Sequence, residues 1–320
     1  MKQYTSLAGA LVDLFGASVA IAQTDRLSGG DINKAYGLTL TTGQHIFMKA
    51  NAKDNAAFFT AEAAGLQAIA DTHTIGTPRI LCCGTDDGED VGYSFLLLEY
   101  IQSAGRRSDY WEVLAQDLAC MHKAALRQAQ EPHASTGVPE QQVVVPEPVE
   151  GPAHQYGFPQ NNFIGARQQN NTWSESWINF FRDYRLAPQF RDADSYFTAG
   201  NRAKITKLLD NLDRFLIEPE YPSLLHGDLW SGNVMCGPDG KAMLIDPACY
   251  IGHREADLAM TQLFGGFPPA FYEEYKKAAP LQPGYEERRD LYNLYQLVNH
   301  LNLFGPSYLD PVLSIVDEYV

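Results

Sequence analysis

One block constrains this chain more than any other part of it. It begins His226-Gly227-Asp228-Leu229-Trp230-Ser231-Gly232-Asn233 and continues through Val234-Met235-Cys236, a Pro238-Asp239-Gly240 turn and the apolar run Ala242-Met243-Leu244-Ile245, closed by Asp246. Two short apolar runs on either side of a Pro-Asp-Gly turn predict a β-hairpin. That hairpin would carry a side-chain oxygen at each end, with Asn233 before its first strand and Asp246 after its second. Asp228 stands five residues before Asn233. Taken singly, the two aspartates are ordinary loop carboxylates and His226 an ordinary structural histidine. Together, in this order around a hairpin, they present a set of hard oxygen ligands.

The same arithmetic occurs in protein kinases, which read H-R-D-L-x-x-x-N and then D-F-G. There the first aspartate accepts the proton of an attacking hydroxyl, and the asparagine and second aspartate hold magnesium. By that pattern Asp228 is the candidate catalytic base, and Asn233 and Asp246 are candidate metal ligands. Oxygen-only ligands favour magnesium.

The 320 residues suffice for one large core or two lobes, and a hydrophobic content of 45% is that of an ordinary globular protein. A formal net charge of −15 argues against a nucleic-acid surface, because a phosphate backbone would be repelled over most of the molecule. Any phosphate ligand must be small and locally neutralised. The start, Met1-Lys2-Gln3-Tyr4, leads into a helix-like stretch broken by Asp13 and Gly16, without the pattern of a signal peptide. No apolar run approaches membrane-spanning length. Cys82, Cys83, Cys120, Cys236 and Cys249 are odd in number and form no C-x-x-C pair, so a reducing cytoplasm is expected.

A change of texture near residue 102 predicts two lobes, 1–101 and 102–320. In the first, strand-like runs at 36–41 and 44–50 flank a Thr42-Gly43 turn, and 94–101 is a third apolar run. Between them a helix is expected to begin at an Asp54 N-cap and to bury Phe58, Phe59, Leu66, Ile69 and Ala70, which leaves Glu62 for a separate contact. After residue 102, Trp111, Leu114, Leu118, Met121 and Ala125 recur at helical steps behind Ser108. Similar stripes cover 177–184, 205–216 and 291–304, and these apolar residues read as core. The proline-rich stretch 127–153 lacks periodicity and is predicted to be a flexible insertion in which Val143-Val144-Val145 could add a strand.

A nucleotide side completes the pattern. Leu27-Ser28-Gly29-Gly30-Asp31-Ile32-Asn33 is a glycine-rich turn whose Gly29 and Gly30 would bring backbone N–H groups to phosphates. Ile46-Phe47-Met48-Lys49 ends an apolar strand in a lysine, a candidate phosphate contact with Glu62 as its ion-pair partner. Leu96-Leu97-Leu98-Glu99-Tyr100-Ile101 ends where the texture changes, and the backbone of Glu99, Tyr100 and Ile101 would serve an adenine ring.

With these residues in place the chain resembles the fructosamine kinase family, the ketosamine 3-kinases. The resemblance spans nearly the whole chain. It rests on Gly29-Gly30-Asp31-Ile32-Asn33, Phe47-Met48-Lys49, the Leu224 to Asn233 block, Ile245-Asp246-Pro247-Ala248-Cys249-Tyr250, Arg254-Glu255-Ala256-Asp257-Leu258-Ala259-Met260 and the tail around Asn299-His300-Leu301. It implies an α+β, bilobal, protein-kinase-like fold with a small β-rich N-lobe and a larger, mainly helical C-lobe. It further implies ATP and Mg2+ as cofactors and transfer of the γ-phosphoryl group to the 3-hydroxyl of ribulosamine or fructosamine, free or on protein lysines, in deglycation or metabolite repair. Trp230, two residues past the base, becomes a candidate to pack on the sugar, and His300 a candidate lining of the acceptor pocket. His226 and Asp257 are assigned to support of the loop. Asp31 stands where some relatives carry a loop cysteine. Two other functions fit the same residues: a kinase for another small alcohol such as an aminoglycoside or amino alcohol, which the acidic surface would suit, and a silent nucleotide-binding scaffold. Against silence stands the presence of every charged position the chemistry needs.

Overall fold

The computed structural model describes residues 2–28, 32–88, 92–130 and 155–320, with the side chains of 125–130 excepted. Gly29, Gly30, Asp31 and residues 131–153 of the expected insertion therefore lie outside the described residues. Two compact units are present: one contains 2–108 together with 235–246, the other 109–130, 155–234 and 247–320.

The first unit is built on a six-stranded sheet of order β1-β5-β6-β4-β3-β2, with β1 Gln3–Tyr4, β2 Ile21–Leu27, β3 Lys34–Leu40, β4 His45–Ala52, β5 Ile80–Asp86 and β6 Tyr93–Glu99. β1 runs parallel to β5, and the other neighbours are antiparallel. Helices α1 (Leu7–Phe15) and α2 (Ala56–Ala70) cover opposite faces. Because side chains alternate along a strand, Ile46, Met48, Phe95 and Leu97 join Leu7, Ala10 and Leu11 of α1, whereas Phe47, Leu96 and Leu98 join Phe59, Ala63 and Leu66 of α2. Lys49, one residue past Met48, is thereby turned to the α2 face. The expected Asp54 cap is not found. A 3-10 turn, Lys53–Asn55, contains Asp54, and α2 starts after Asn55 without a side-chain cap bond. Asn51 organises this entry instead, its Oδ1 accepting from the Ala52 N–H at 2.7 Å and from Asn55 Nδ2 at 2.9 Å.

The second unit is mainly helical. It opens with α3 (Tyr110–Gln130), followed by the hairpin β7 (Asn162–Ile164) and β8 (Arg167–Gln169). The first four residues of the expected insertion, 127–130, continue α3. The stripe at 177–184 becomes α4 (Trp177–Phe181), a π turn at Arg182–Leu186 and α5 (Ala187–Asp192). The break has a local cause: Pro188 has no N–H to give the Tyr184 carbonyl, and Arg185 Nη1 donates to that oxygen at 2.9 Å instead. α6 (Ala199–Asp210) starts at a Thr198/Asn201 capping box, ahead of the expected stripe. Strand β9 (Ser223–Leu225) leads into the His226 block. The predicted hairpin follows as β10 (Val234–Cys236) and β11 (Ala242–Leu244). Residues 235–246 belong with the first unit, where the Leu244 N–H donates to Gly76 O at 2.8 Å and the Arg107 N–H to Gly240 O at 3.2 Å. The chain then returns to the second unit with β12 (Tyr250–Gly252), antiparallel to β9, and helices α7 (Glu255–Leu263), α8 (Pro269–Ala278), α9 (Tyr285–Phe304) and α10 (Leu309–Glu318). No helix among the described residues is long and apolar enough to cross a membrane.

Candidate active site

In the first unit the structure brings together Lys49, Glu62 and Asp246. Lys49 Nζ donates to Glu62 Oε1 at 2.7 Å and also to Asp246 Oδ1. Burial alone would lower the pKa of the ammonium. The charges of Glu62 and Asp246 outweigh that penalty and hold the Lys49 pKa above its ordinary value. The Glu62 carboxyl is pushed up by burial, with Lys49 pulling against it. Asp246 adopts a left-handed backbone, φ 55°; the other such non-glycine residue among those described is His73. Aspartate tolerates this region better than most residues, and an observed outlier of this kind is characteristic of functional loops.

In the second unit the block from His226 to Asn233 leaves the end of β9 with its first two peptides fully held. Asp257, in the first turn of α7, accepts from the His226 N–H at 2.7 Å and the Gly227 N–H at 2.9 Å, one on each oxygen. The Ala248 N–H donates to His226 O at 2.8 Å, and Gln296 Nε2 of α9 donates to Gly227 O at 2.9 Å. Gly227 itself sits at φ +81°, a conformation that disfavours other residues. Asp228 projects from this clamped support. Asn233 Nδ2 donates to the Asp228 carbonyl at 2.8 Å and to its Oδ2 at 3.1 Å, which leaves the Asn233 amide oxygen as the acceptor available for other groups. His226 is fully buried and accepts from the Asp228 N–H through Nδ1 at 3.3 Å. Its backbone N–H is held by Asp257.

Trp230 lies over Gly232, where a Cβ would come within 2.8 Å of the indole, and meets Phe264 edge-on at 6.3 Å between centroids. It is 37% exposed. His300 continues the same aromatic band, 4.9 Å from Phe264, 5.3 Å from Phe304 and 5.1 Å from Tyr308. Its Nδ1 lies 2.8 Å from the Gln296 carbonyl; since that oxygen only accepts, Nδ1 carries the proton and Nε2 is left as an acceptor. Burial lowers its pKa and keeps the ring neutral. Glu99 is a different case. Its side chain is turned outward, 4.0 Å from Arg79, so only backbone could serve a base there. The Tyr100 ring packs over Gly37 of β3, and Ile101 is half-buried past the end of β6.

The sequence reading missed the residues that hold this loop from a distance. Gln296, which donates to Gly227 O, is a buried polar position inside the apolar stripe of α9. A second network approaches from the β7–β8 hairpin: Gln169 Nε2 donates to Ala248 O at 3.1 Å and Asn162 Nδ2 to Cys249 O at 2.8 Å. Arg185 lies beneath it, fully buried, with its guanidinium 4.0 Å from the Tyr250 ring centroid.

Known proteins resemble the chain over nearly its whole length. The fructosamine kinase family profile matches residues 3–144 and 145–320. A Synechocystis sp. protein named "probable ketoamine kinase" is 38% identical over 294 residues, 92% of this chain and 88% of that protein. The chloroplastic protein-ribulosamine 3-kinase of Arabidopsis thaliana is 37% identical over 310 residues, 95% of this chain and 85% of the relative. A crystal structure of a candidate fructosamine-3-kinase from Haemophilus somnus superposes with a TM-score of 0.80 at 28% identity, covering 99% of this chain and 98% of the other.

Proposed function

The chain belongs to the fructosamine kinase family, and from that premise we propose that it transfers the γ-phosphoryl group of ATP to the 3-hydroxyl of a ketosamine, a ribulosamine or fructosamine carried on an amine. One observation carries the residue assignment: the peptide pair preceding Asp228 has its two N–H and two C=O groups all engaged by Asp257, Ala248 and Gln296. A carboxylate on so fixed a support suits a base that must meet one hydroxyl and no other. Family membership removes the need for the aminoglycoside or scaffold alternatives.

In this mechanism Asp228 orients the sugar hydroxyl and takes its proton as the oxygen bonds to the γ-phosphorus and the bond to the β-phosphate oxygen breaks. Lys49, kept protonated by Glu62, offsets phosphate charge. Residues 29–30 and the backbone at 99–101 take the phosphate and adenine contacts. Hard oxygen donors suit magnesium, and the Asn233 amide oxygen and the Asp246 carboxylate would be its protein ligands. No group of three or more His, Cys, Asp or Glu side chains gathers at metal-binding distances among the described residues, and magnesium in such sites is held by one or two carboxylates plus phosphate and water. When bound, the ion would neutralise charge on the β- and γ-phosphates. Trp230 offers an aromatic face to the sugar, and His300 Nε2 an acceptor for the ketosamine's N–H or hydroxyl.

The test is an acceptor screen. The purified protein is incubated with Mg·ATP and, separately, ribulosamine-lysine, fructosamine-lysine and an aminoglycoside, with ADP release and phosphorus NMR as readouts. A 3-phosphate on a ketosamine is expected. Phosphorylation of the aminoglycoside and of no ketosamine would overturn the substrate assignment.

A further inference from the structure

Behind Asp257 lies a buried histidine that the mechanism above does not use. His122 of α3 is fully buried, as are Asp257 and Tyr275 of α8 on its two sides. Its Nε2 stands 3.2 Å from Asp257 Oδ2 and its Nδ1 2.7 Å from the Tyr275 hydroxyl. With a neutral ring and an ionised Asp257, one arrangement of protons satisfies the chain. A carboxylate accepts and cannot donate, so Nε2 must carry the hydrogen; Nδ1 of the neutral ring is then an acceptor, and Tyr275 must donate to it. Burial supports the same assignment at both ends, lowering the His122 pKa and raising that of Tyr275, so the ring is neutral and the phenol keeps its proton.

We propose that His122 is a positioning residue for phosphoryl transfer: locked in the Nε2–H tautomer by Tyr275, it fixes the Asp257 carboxylate from which the His226–Gly227 backbone hangs, and so fixes the direction of Asp228. The carboxylate must hold two N–H groups on two different oxygens at 2.7 and 2.9 Å. Rotation about its Cβ–Cγ bond would improve one bond at the cost of the other. A third donor, arriving from α3 on Oδ2, resists that rotation. The inference rests on the assignment of Asp228 as base, which the acceptor screen tests separately on the unaltered protein.

Three variants test it in the full chain, with the ketosamine that the wild-type protein phosphorylates. His122→Leu removes the donor and should lower kcat by about 10- to 100-fold, the loss expected for displacement of a reacting group by up to about 1 Å. The KM for ATP should stay within about twofold. His122→Gln puts an amide N–H near the Nε2 position and should recover most of kcat, which a purely volumetric role for the ring would not predict. Tyr275→Phe deletes one hydroxyl while keeping the ring, guards against a misfolded His122→Leu, and should reduce kcat several-fold. Nitrogen-15 spectra of histidine-labelled wild-type protein, assigned with His122→Gln, should show His122 as the Nε2–H tautomer. An Nδ1–H tautomer, or folded His122→Leu and Tyr275→Phe proteins with kcat within twofold of wild type, would overturn the proposal. Wild-type protein inactive on every ketosamine would instead remove the functional reading itself.

Discussion

Replacing Gly227 by alanine tests how far the aim of Asp228 depends on its backbone. A Cβ built on Gly227 would fall 2.9 Å from the Ala248 carbonyl carbon, closer still to its oxygen, and 3.3 Å from the Tyr250 ring. Ordinary contact begins at 3.4 Å, so the two segments must part by at least about 0.5 Å. Neither is free to do so. The Ala248 carbonyl is held by Gln169 and its N–H by His226 O, while Gly227 is held by Asp257 and Gln296. To the overlap is added the cost of placing a side chain at φ +81°, about 1–2 kcal/mol. Overpacking adds roughly 1–3 kcal/mol, for a total loss of about 2–5 kcal/mol in stability. A displacement of up to about 1 Å at the reacting group costs on the order of 10²-fold in rate. Gly227→Ala should therefore fold with a lowered melting temperature, bind Mg·ATP nearly as wild type by calorimetry, and lose about two orders of magnitude in kcat on the ketosamine. A folded variant with kcat within threefold of wild type would refute the claim that the loop backbone sets the base.

Two further perturbations address charge. Glu62→Gln leaves Lys49 paired with Asp246 alone, and it should weaken Mg·ATP binding by about tenfold, or about 1.4 kcal/mol. Unchanged affinity in calorimetry would separate Glu62 from the nucleotide. Acid should destabilise the fold, because His122 and His253 are buried and their pKa values are lowered from 6.5. The unfolded chain takes up protons near pH 6.5 that the folded chain refuses, so this stability is complete above that pH and is lost as pH falls toward the lowered folded values. The two together give a slope of up to about 2.7 kcal/mol per pH unit. Glu62 and Glu255, whose pKa values are raised, act in the opposite sense, while His300, whose pKa is also lowered, acts in the same one. Urea midpoints at pH 7.5, 6.5 and 5.5 should decline in that order, and a constant or rising midpoint would contradict the neutral buried histidines.

What was legible in the sequence divides along a physical line. The hairpin at β10–β11 and the strands at β3, β4 and β6 follow from alternation and turn residues within a few positions of each other, and sequence carries such local information directly. The Lys49–Glu62 pair was also readable, since an apolar strand and a following helix with a single acidic residue on its flank leave few alternatives. Edge strand β2, exposed along most of its length, and the three-residue strands β7, β8, β9 and β12 have too few buried side chains to show a period. The π turn after Phe181 depended on one proline whose missing N–H a distant reading of stripes does not weigh.

The site divides in the same way. Asp228, Asn233 and Asp246 lie within 19 residues of one another, so their candidacy can be read from spacing. The groups that brace residues 226–227 and 248–249, directly or through Asp257, come from α3, the β7–β8 hairpin, α7 and α9, at positions 122, 162, 169, 257 and 296. None of these is marked by a local motif except Asp257. Each is instead a polar side chain on an otherwise apolar face, an arrangement that is costly unless every polar atom finds a partner. His122 four residues after Leu118, and Gln296 between Leu294 and Leu297, break their helical stripes in just this manner. A buried polar residue interrupting a core stripe therefore says that a hydrogen-bonded group must lie opposite it, but not which group, because that depends on how helices far apart in the chain come to pack. The candidate base can be read from local spacing, whereas the hydrogen bonds that brace its loop are tertiary and show only in the packing.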